Sequence, residues 1–171
     1  MTLYLTNGVD LHRLISSCKS CLQYINNGRN IRCHDELPHL LIPGKRTERS
    51  AYLINTKRPF DYSGHWICLF KFNRLILLCD GLDYAITRPD VMHNIRKFCR
   101  LNDCRLSVMQ LRSQQKESSK CGFLSMAYLG KYHSMSLRHF YTMQNVFKRN
   151  SIRSNENMLI AFAQTHFAFH I

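Results

Sequence analysis

Apolar positions along this chain change period several times, and each change marks an element. Over residues 9–25, Val9, Leu11, Leu14, Ile15, Cys18, Cys21, Leu22 and Ile25 recur at helical spacing, with Gly28 as a stop. Residues 29–49 are polar, contain Pro38, Pro43 and Gly44, and read as a long loop. A strand is expected over 51–56 (AYLINT), followed by the loop KRPFDYSG. Two near-continuous apolar runs come next, HWICLFKF (65–72) and LILLCD (75–80), joined at Asn73-Arg74. That pattern predicts a hairpin whose strands are buried on both faces. Residues 89–101 are amphipathic and helical, opened by Pro89-Asp90, and 104–111 (CRLSVMQL) alternate as a strand. The polar turn SQQKESSK (113–120) leads into CGFLSMAYLGKY (121–132), apolar enough for a buried helix, and two more helical stretches follow near 135–148 and 155–168. With no repeats, low-complexity tract or linker in 171 residues, the pattern predicts one α+β domain over 1–171.

Composition sharpens this picture in two ways. The formal charge is +13, which favours contact with polyanions, nucleic acid first and an anionic membrane second. The basic cluster Lys45, Arg46 and Arg49 reads most plainly as a solvated loop; joined to Lys148, Arg149 and Arg153 it would form part of a DNA track. No apolar run reaches the roughly 20 residues needed to cross a bilayer, and the opening MTLYLTNGVDLHR has no basic region leading into an apolar stretch. No secretory signal is expected, and the eight cysteines are then expected as thiols in a reducing compartment.

One of those thiols has the surroundings of a nucleophile. Cys121 follows a polar turn and opens a predicted helix, where unpaired N–H groups favour a thiolate, and Gly122 leaves room for a carbonyl to approach. His65 begins the first hairpin strand and Asp80 ends the second, so antiparallel pairing returns both to one end of the ladder. A carboxylate there can fix the imidazole tautomer that acts on Cys121. Gln115, on the loop before the nucleophile, can donate its amide to an oxyanion beside the Cys121 N–H. Each residue alone has a plainer reading, the cysteine as a small core hydrophobe and the histidine as a surface residue. Asp83 is an alternative acid, and Trp66 either shields the His65 ring or is a core aromatic.

The segments INTKRPFDYSGHW (54–66), LLCDGLD (77–83) and SQQKESSKCGF (113–123) resemble the adenovirus-type cysteine protease family (adenain) and, more distantly, the SUMO-specific proteases of the same clan. The resemblance implies a central mixed β-sheet with flanking helices. It implies His65 as catalytic base, Asp80 as its acid, Gln115 as the oxyanion donor and Cys121 as nucleophile. It further implies an endopeptidase that cleaves capsid and core precursors after small residues, in the virion and the host nucleus, with DNA and a peptide as activators. In that family a cysteine in the strand before the oxyanion Gln is disulfide-bonded to the activating peptide, and Cys104 stands at a matching position; its plain reading is a strand cysteine packed in the sheet. The Asp at position 80 and the spacing from Gln115 to Cys121 follow the SUMO-protease pattern, and the hairpin is shorter than in either family.

Two other functions compete with that reading: a SUMO- or ubiquitin-like deconjugating protease, and a non-catalytic basic DNA-binding virion protein. A zinc site on Cys18-x-x-Cys21 with Cys33-His34 is disfavoured because Cys18 and Cys21 share the apolar helix face with Leu14, Leu22 and Ile25. No metal is expected, and a monomer is.

Overall fold

The computed structural model of the chain describes residues 11, 13, 15, 16, 18–42, 49–57, 64–132 and 135–166. Five strands form one sheet in the order of the sequence: β1 (Ile31–Cys33), β2 (Ser50–Asn55), β3 (Trp66–Phe72), β4 (Leu75–Asp80) and β5 (Arg105–Gln110). The outer pairs β1–β2 and β4–β5 are parallel, while β2–β3 and β3–β4 are antiparallel. The helices are α1 (Lys19–Tyr24), α2 (Pro89–Leu101), α3 (Cys121–Tyr132), α4 (Leu137–Arg149) and α5 (Ile152–His166). The chain is thus α+β with a central mixed sheet and flanking helices.

The two apolar runs of the hairpin are explained by layers on both faces. Because side chains alternate along a strand, Trp66, Cys68, Phe70, Leu77 and Cys79 join the core built with α3, α4 and α5. Ile67, Leu69, Ile76 and Leu78 join a second core with Val91, Ile95 and Phe98 of α2. The two-residue turn takes Asn73 to a φ of 53°, a left-handed conformation that Asn tolerates better than most side chains. The α2 crossover then makes β5 parallel to β4, pairing Asp80 with Gln110. Three strand ends therefore meet at one edge: the start of β3, the end of β4 and the end of β5.

Two expectations from periodicity are corrected. Residues 11, 13 and 15 are helical, but the helix expected to run through residue 25 breaks at Cys18, which caps α1 in an extended conformation (φ −112°, ψ 94°) and accepts from the Cys21 N–H. Apolar spacing cannot register such a break, because the buried Leu11, Ile15, Cys21 and Ile25 stay on one side. The polar segment after Gly28 contains β1, an edge strand held by backbone pairing to Leu53–Asn55 and only partly buried, so its side chains carry little apolar signal.

Arg49 has a structural role that periodicity does not show. Its Nη2 donates to Tyr132 O at 2.9 Å and Met135 O at 2.6 Å, and its guanidinium lies 4.5 Å from the Tyr132 ring centroid and 4.6 Å from that of Phe72. It closes the C-terminus of α3, where a cation complements the free carbonyls. Arg49→Ala is expected to lower the free energy of unfolding by about 1–3 kcal/mol, read as a lower urea midpoint with an unchanged slope. Arg49→Lys should recover only part of it, because an ammonium lacks the planar fork. An unmoved midpoint in Arg49→Ala would contradict this role.

Candidate active site

The site is assembled at the edge where the three strand ends meet, and the first requirement is that β3 begin in a fixed place. Just before it, the His65 N–H donates to Thr56 Oγ1 at 3.1 Å, and the Thr56 N–H donates to His65 O at 2.8 Å. Asn55, buried at the end of β2, turns its carboxamide over Gly64, where an added Cβ would fall 1.7 Å from Asn55 Oδ1. Any side chain at position 64 would collide with it. The Asn-Thr pair and the Gly before His65 thus form one structural unit that presents the imidazole.

Asp80 meets that imidazole from the end of β4. Its side chain is buried, and Oδ1 lies 2.6 Å from His65 Nε2. Oδ1 also accepts from the Leu82 N–H at 3.0 Å and Oδ2 from the Ala85 N–H at 2.7 Å, so neither oxygen is left bare. With Nε2 held by Asp80, Nδ1 is the nitrogen left for Cys121, whose nearby sulfur helps the ring keep its proton. The Tyr84 ring stands edge-on to the imidazole at 5.7 Å, and its hydroxyl accepts from Arg88 Nη1 at 2.7 Å. Trp66, by contrast, lies in the core on the α3 side of the sheet, and what it lends to the site is its backbone.

Cys121 opens α3, and that helix is locked to β3 by two hydrogen bonds. Ser125, one turn along and on the same helix face, donates its hydroxyl to Trp66 O at 3.1 Å, and Cys68 Sγ donates to Ser125 O at 3.1 Å. The backbone N–H groups of Trp66 and Gly122 lie near enough to the Cys121 sulfur to favour its anion. Burial acts to raise the Cys121 thiol, but the hydrogen bond and charge of His65, with those two N–H groups, hold it below its ordinary value of 9.0. Burial likewise acts to lower His65, but hydrogen bonds to Asp80 and Cys121 push it up from 6.5 to about 9. Both shifts favour a thiolate–imidazolium pair. Burial raises the other shifted thiols: Cys33 to about 11, Cys99 to about 12, and Cys21, Cys68 and Cys79 still further. Cys121 alone among the described residues is a cysteine moved downward.

The remaining expected residues divide. Asp83, the alternative acid, sits just past the strand end at a φ of 53°, with its carboxyl raised by burial and by Asp80; the imidazole is bonded to Asp80 instead. Gln115 lies on the loop into α3, its Nε2 3.3 Å from Glu156 Oε2. Cys104 precedes β5 at the far end, with Sγ 3.3 Å from Asn102 O, so about 20 Å of extended chain separates it from the site edge. No disulfide joins any two of the eight cysteines. Lys148, Arg149 and Arg153 are exposed together where α4 passes into α5, whereas Lys45 and Arg46 lie outside the described residues. Among the described residues no group of three or more His, Cys, Asp or Glu is placed to hold a metal ion, and no helix is long and apolar enough to cross a membrane.

Sequence reasoning missed Ser125, Tyr84 and Glu156. Ser125 was hidden as a polar residue in an apolar helix, and a Ser four residues after a candidate nucleophile was the only available signal.

The charge pair makes a direct prediction for iodoacetamide. As pH rises, the rate of Cys121 alkylation should climb through a midpoint below 9.0, because the thiolate is the reactive form. In His65→Ala only burial and the backbone donors remain, so the midpoint should move upward and the rate at neutral pH fall at least about tenfold. Identical profiles for the two proteins would remove the pair. Compared with protein-family models, curated proteins and solved structures, the chain matches none, so the chemistry of the site stands on its own residues.

Proposed function

We propose that this chain is a cysteine endopeptidase of the adenain-like kind, with Cys121 as nucleophile, His65 as base and acid, Asp80 as its orienting partner and Gln115 as an oxyanion donor. One observation carries the reading: a single imidazole is bonded to a buried carboxylate and lies close enough to a thiol that opens a helix for each to shift the other's titration.

In the reaction that this arrangement supports, the Cys121 thiolate attacks a peptide carbonyl carbon and forms a C–S bond. The carbonyl oxygen becomes an oxyanion, stabilised by backbone N–H and the Gln115 amide. Collapse breaks the C–N bond, and the His65 imidazolium gives its proton to the leaving amine. A water then gives one proton back to His65 and attacks the thioester, releasing a carboxylic acid product and the thiolate. Asp80 stabilises the imidazolium throughout and fixes which nitrogen faces sulfur. The balance is one peptide and one water to one acid and one amine.

The same resemblance supports capsid and core precursors cut after small residues such as Gly as substrates, and action in the virion and the host nucleus. The charge of +13, with exposed Lys148, Arg149 and Arg153, supports stimulation by DNA through counterion release. A peptide activator bound through Cys104 belongs to the same reading. A deconjugating protease would use the same chemistry, and the Asp80 acid is the feature that favours it.

The test is cleavage of a panel of Gly-Gly-containing peptides, with and without DNA, by wild type and Cys121→Ala. Cleavage lost in Cys121→Ala and increased by DNA is expected, with the stimulation falling as salt rises. Equal cleavage by the variant would falsify the nucleophile. DNA-independent release of SUMO or ubiquitin from a fusion would favour deconjugation, and DNA binding without cleavage would favour a non-catalytic virion protein.

A further inference from the structure

A buried acid on the last helix reaches the loop that carries Gln115. Glu156, in the second turn of α5, is 2 % exposed in a chain with few acids. Its Oε2 accepts from the Gln115 N–H at 2.9 Å and from Gln115 Nε2 at 3.3 Å, and its Oε1 accepts from Ser118 Oγ at 2.5 Å. The preceding residue, Asn155, is fully buried and donates through Nδ2 to Arg112 O at 3.1 Å, at the start of the same loop.

We infer that Glu156 is a positioning residue for the oxyanion side of the site, holding the Gln115 amide so that one N–H is left to face the substrate oxygen. The inference rests on the cysteine-protease reading above. A carboxylate accepts only, so it fixes which end of the Gln115 amide turns toward it: the NH2 group, with two donors. One N–H goes to Glu156, and the other is free for an oxygen that becomes negative during the reaction. Binding backbone and side chain of one residue through one oxygen also restrains the Gln115 torsions. That spares the ordering a flexible glutamine would otherwise need as the oxyanion forms. The amide is not sealed in the core, since Gln115, Ser118, Lys120 and Glu156 border a polar cavity of about 290 Å³. Holding the loop in place for stability alone would need no such restraint on the side chain.

The two roles separate by chemistry. Alkylation of Cys121 by iodoacetamide is a displacement at saturated carbon and develops no oxyanion, whereas acylation by p-nitrophenyl acetate passes through one. In the full-length chain, Glu156→Ala should leave the alkylation rate of Cys121 unchanged and lower its acylation rate about ten- to a hundredfold. In a Gln115→Ala background, adding Glu156→Ala should lower acylation no further. Glu156→Gln, which is isosteric and keeps one acceptor oxygen, guards against a variant that fails to fold and should fall between wild type and Glu156→Ala. Parallel loss of alkylation and acylation would make Glu156 merely structural and overturn the inference. So would unchanged acylation, or additive losses in the double variant. Wild-type chain that alkylates fast but is not acylated would overturn the oxyanion role alone. An ordinary, slow alkylation of wild type would instead bring down the thiolate reading on which it rests.

Discussion

The hydrogen bond between His65 and Asp80 is the constraint on which the rest of the site depends. At 2.6 Å, between a largely buried ring and a buried carboxylate, it settles three things together. It commits Nε2, so that Nδ1 is what the thiol meets; it favours the charged ring over the cost of burial; and it requires the start of β3 and the end of β4 to stay in register. The hairpin supplies that register through the pairing of Cys68 with Cys79, and the two-sided burial of its strands keeps the pairing from slipping.

Cys121 is brought to this pair from a distant part of the sequence by hydrogen bonds between neighbouring elements. The Gly81 carbonyl, next to Asp80, accepts from the N–H groups of both Ser113 and Gln114, at 3.1 and 3.0 Å. An added Cβ on Gly81 would meet Ser113 Oγ at 3.0 Å, so the two segments approach closely here. The turn after Asp80 and the loop before Cys121 are therefore one unit. Gln114 Nε2 then donates to Ser118 O, closing the turn that delivers Cys121. Ser125 ties the resulting helix back to Trp66 O. Sheet, loop and helix thus fix one sulfur relative to one ring, the geometric condition for lowering a thiol without a metal or a bare cation.

Much of this was legible in the sequence because its signals are local. The hairpin, α2 and α3 follow from continuous apolar runs, a Pro-Asp helix start and a polar turn, and these elements fall where the pattern puts them. The convergence of His65 and Asp80 follows from antiparallel geometry alone. What escaped was set by long-range pairing. The edge strand β1 exists because β2 offers a partner, not because its own residues alternate. Arg49 reads as one of several surface cations until the free carbonyls of α3 and the rings of Phe72 and Tyr132 surround it. Glu156 lies forty-one residues beyond Gln115 on a helix of mixed character, and no local pattern joins the two.

Nitrogen NMR of the His65 ring across a pH titration tests the charge pair most directly. The imidazole should remain protonated well above the ordinary 6.5, titrating near pH 9 in the wild type, and Cys121→Ala should bring its midpoint down because the thiolate is gone. A His65 ring that titrates near 6.5 and is indifferent to Cys121→Ala would contradict the thiolate–imidazolium pair.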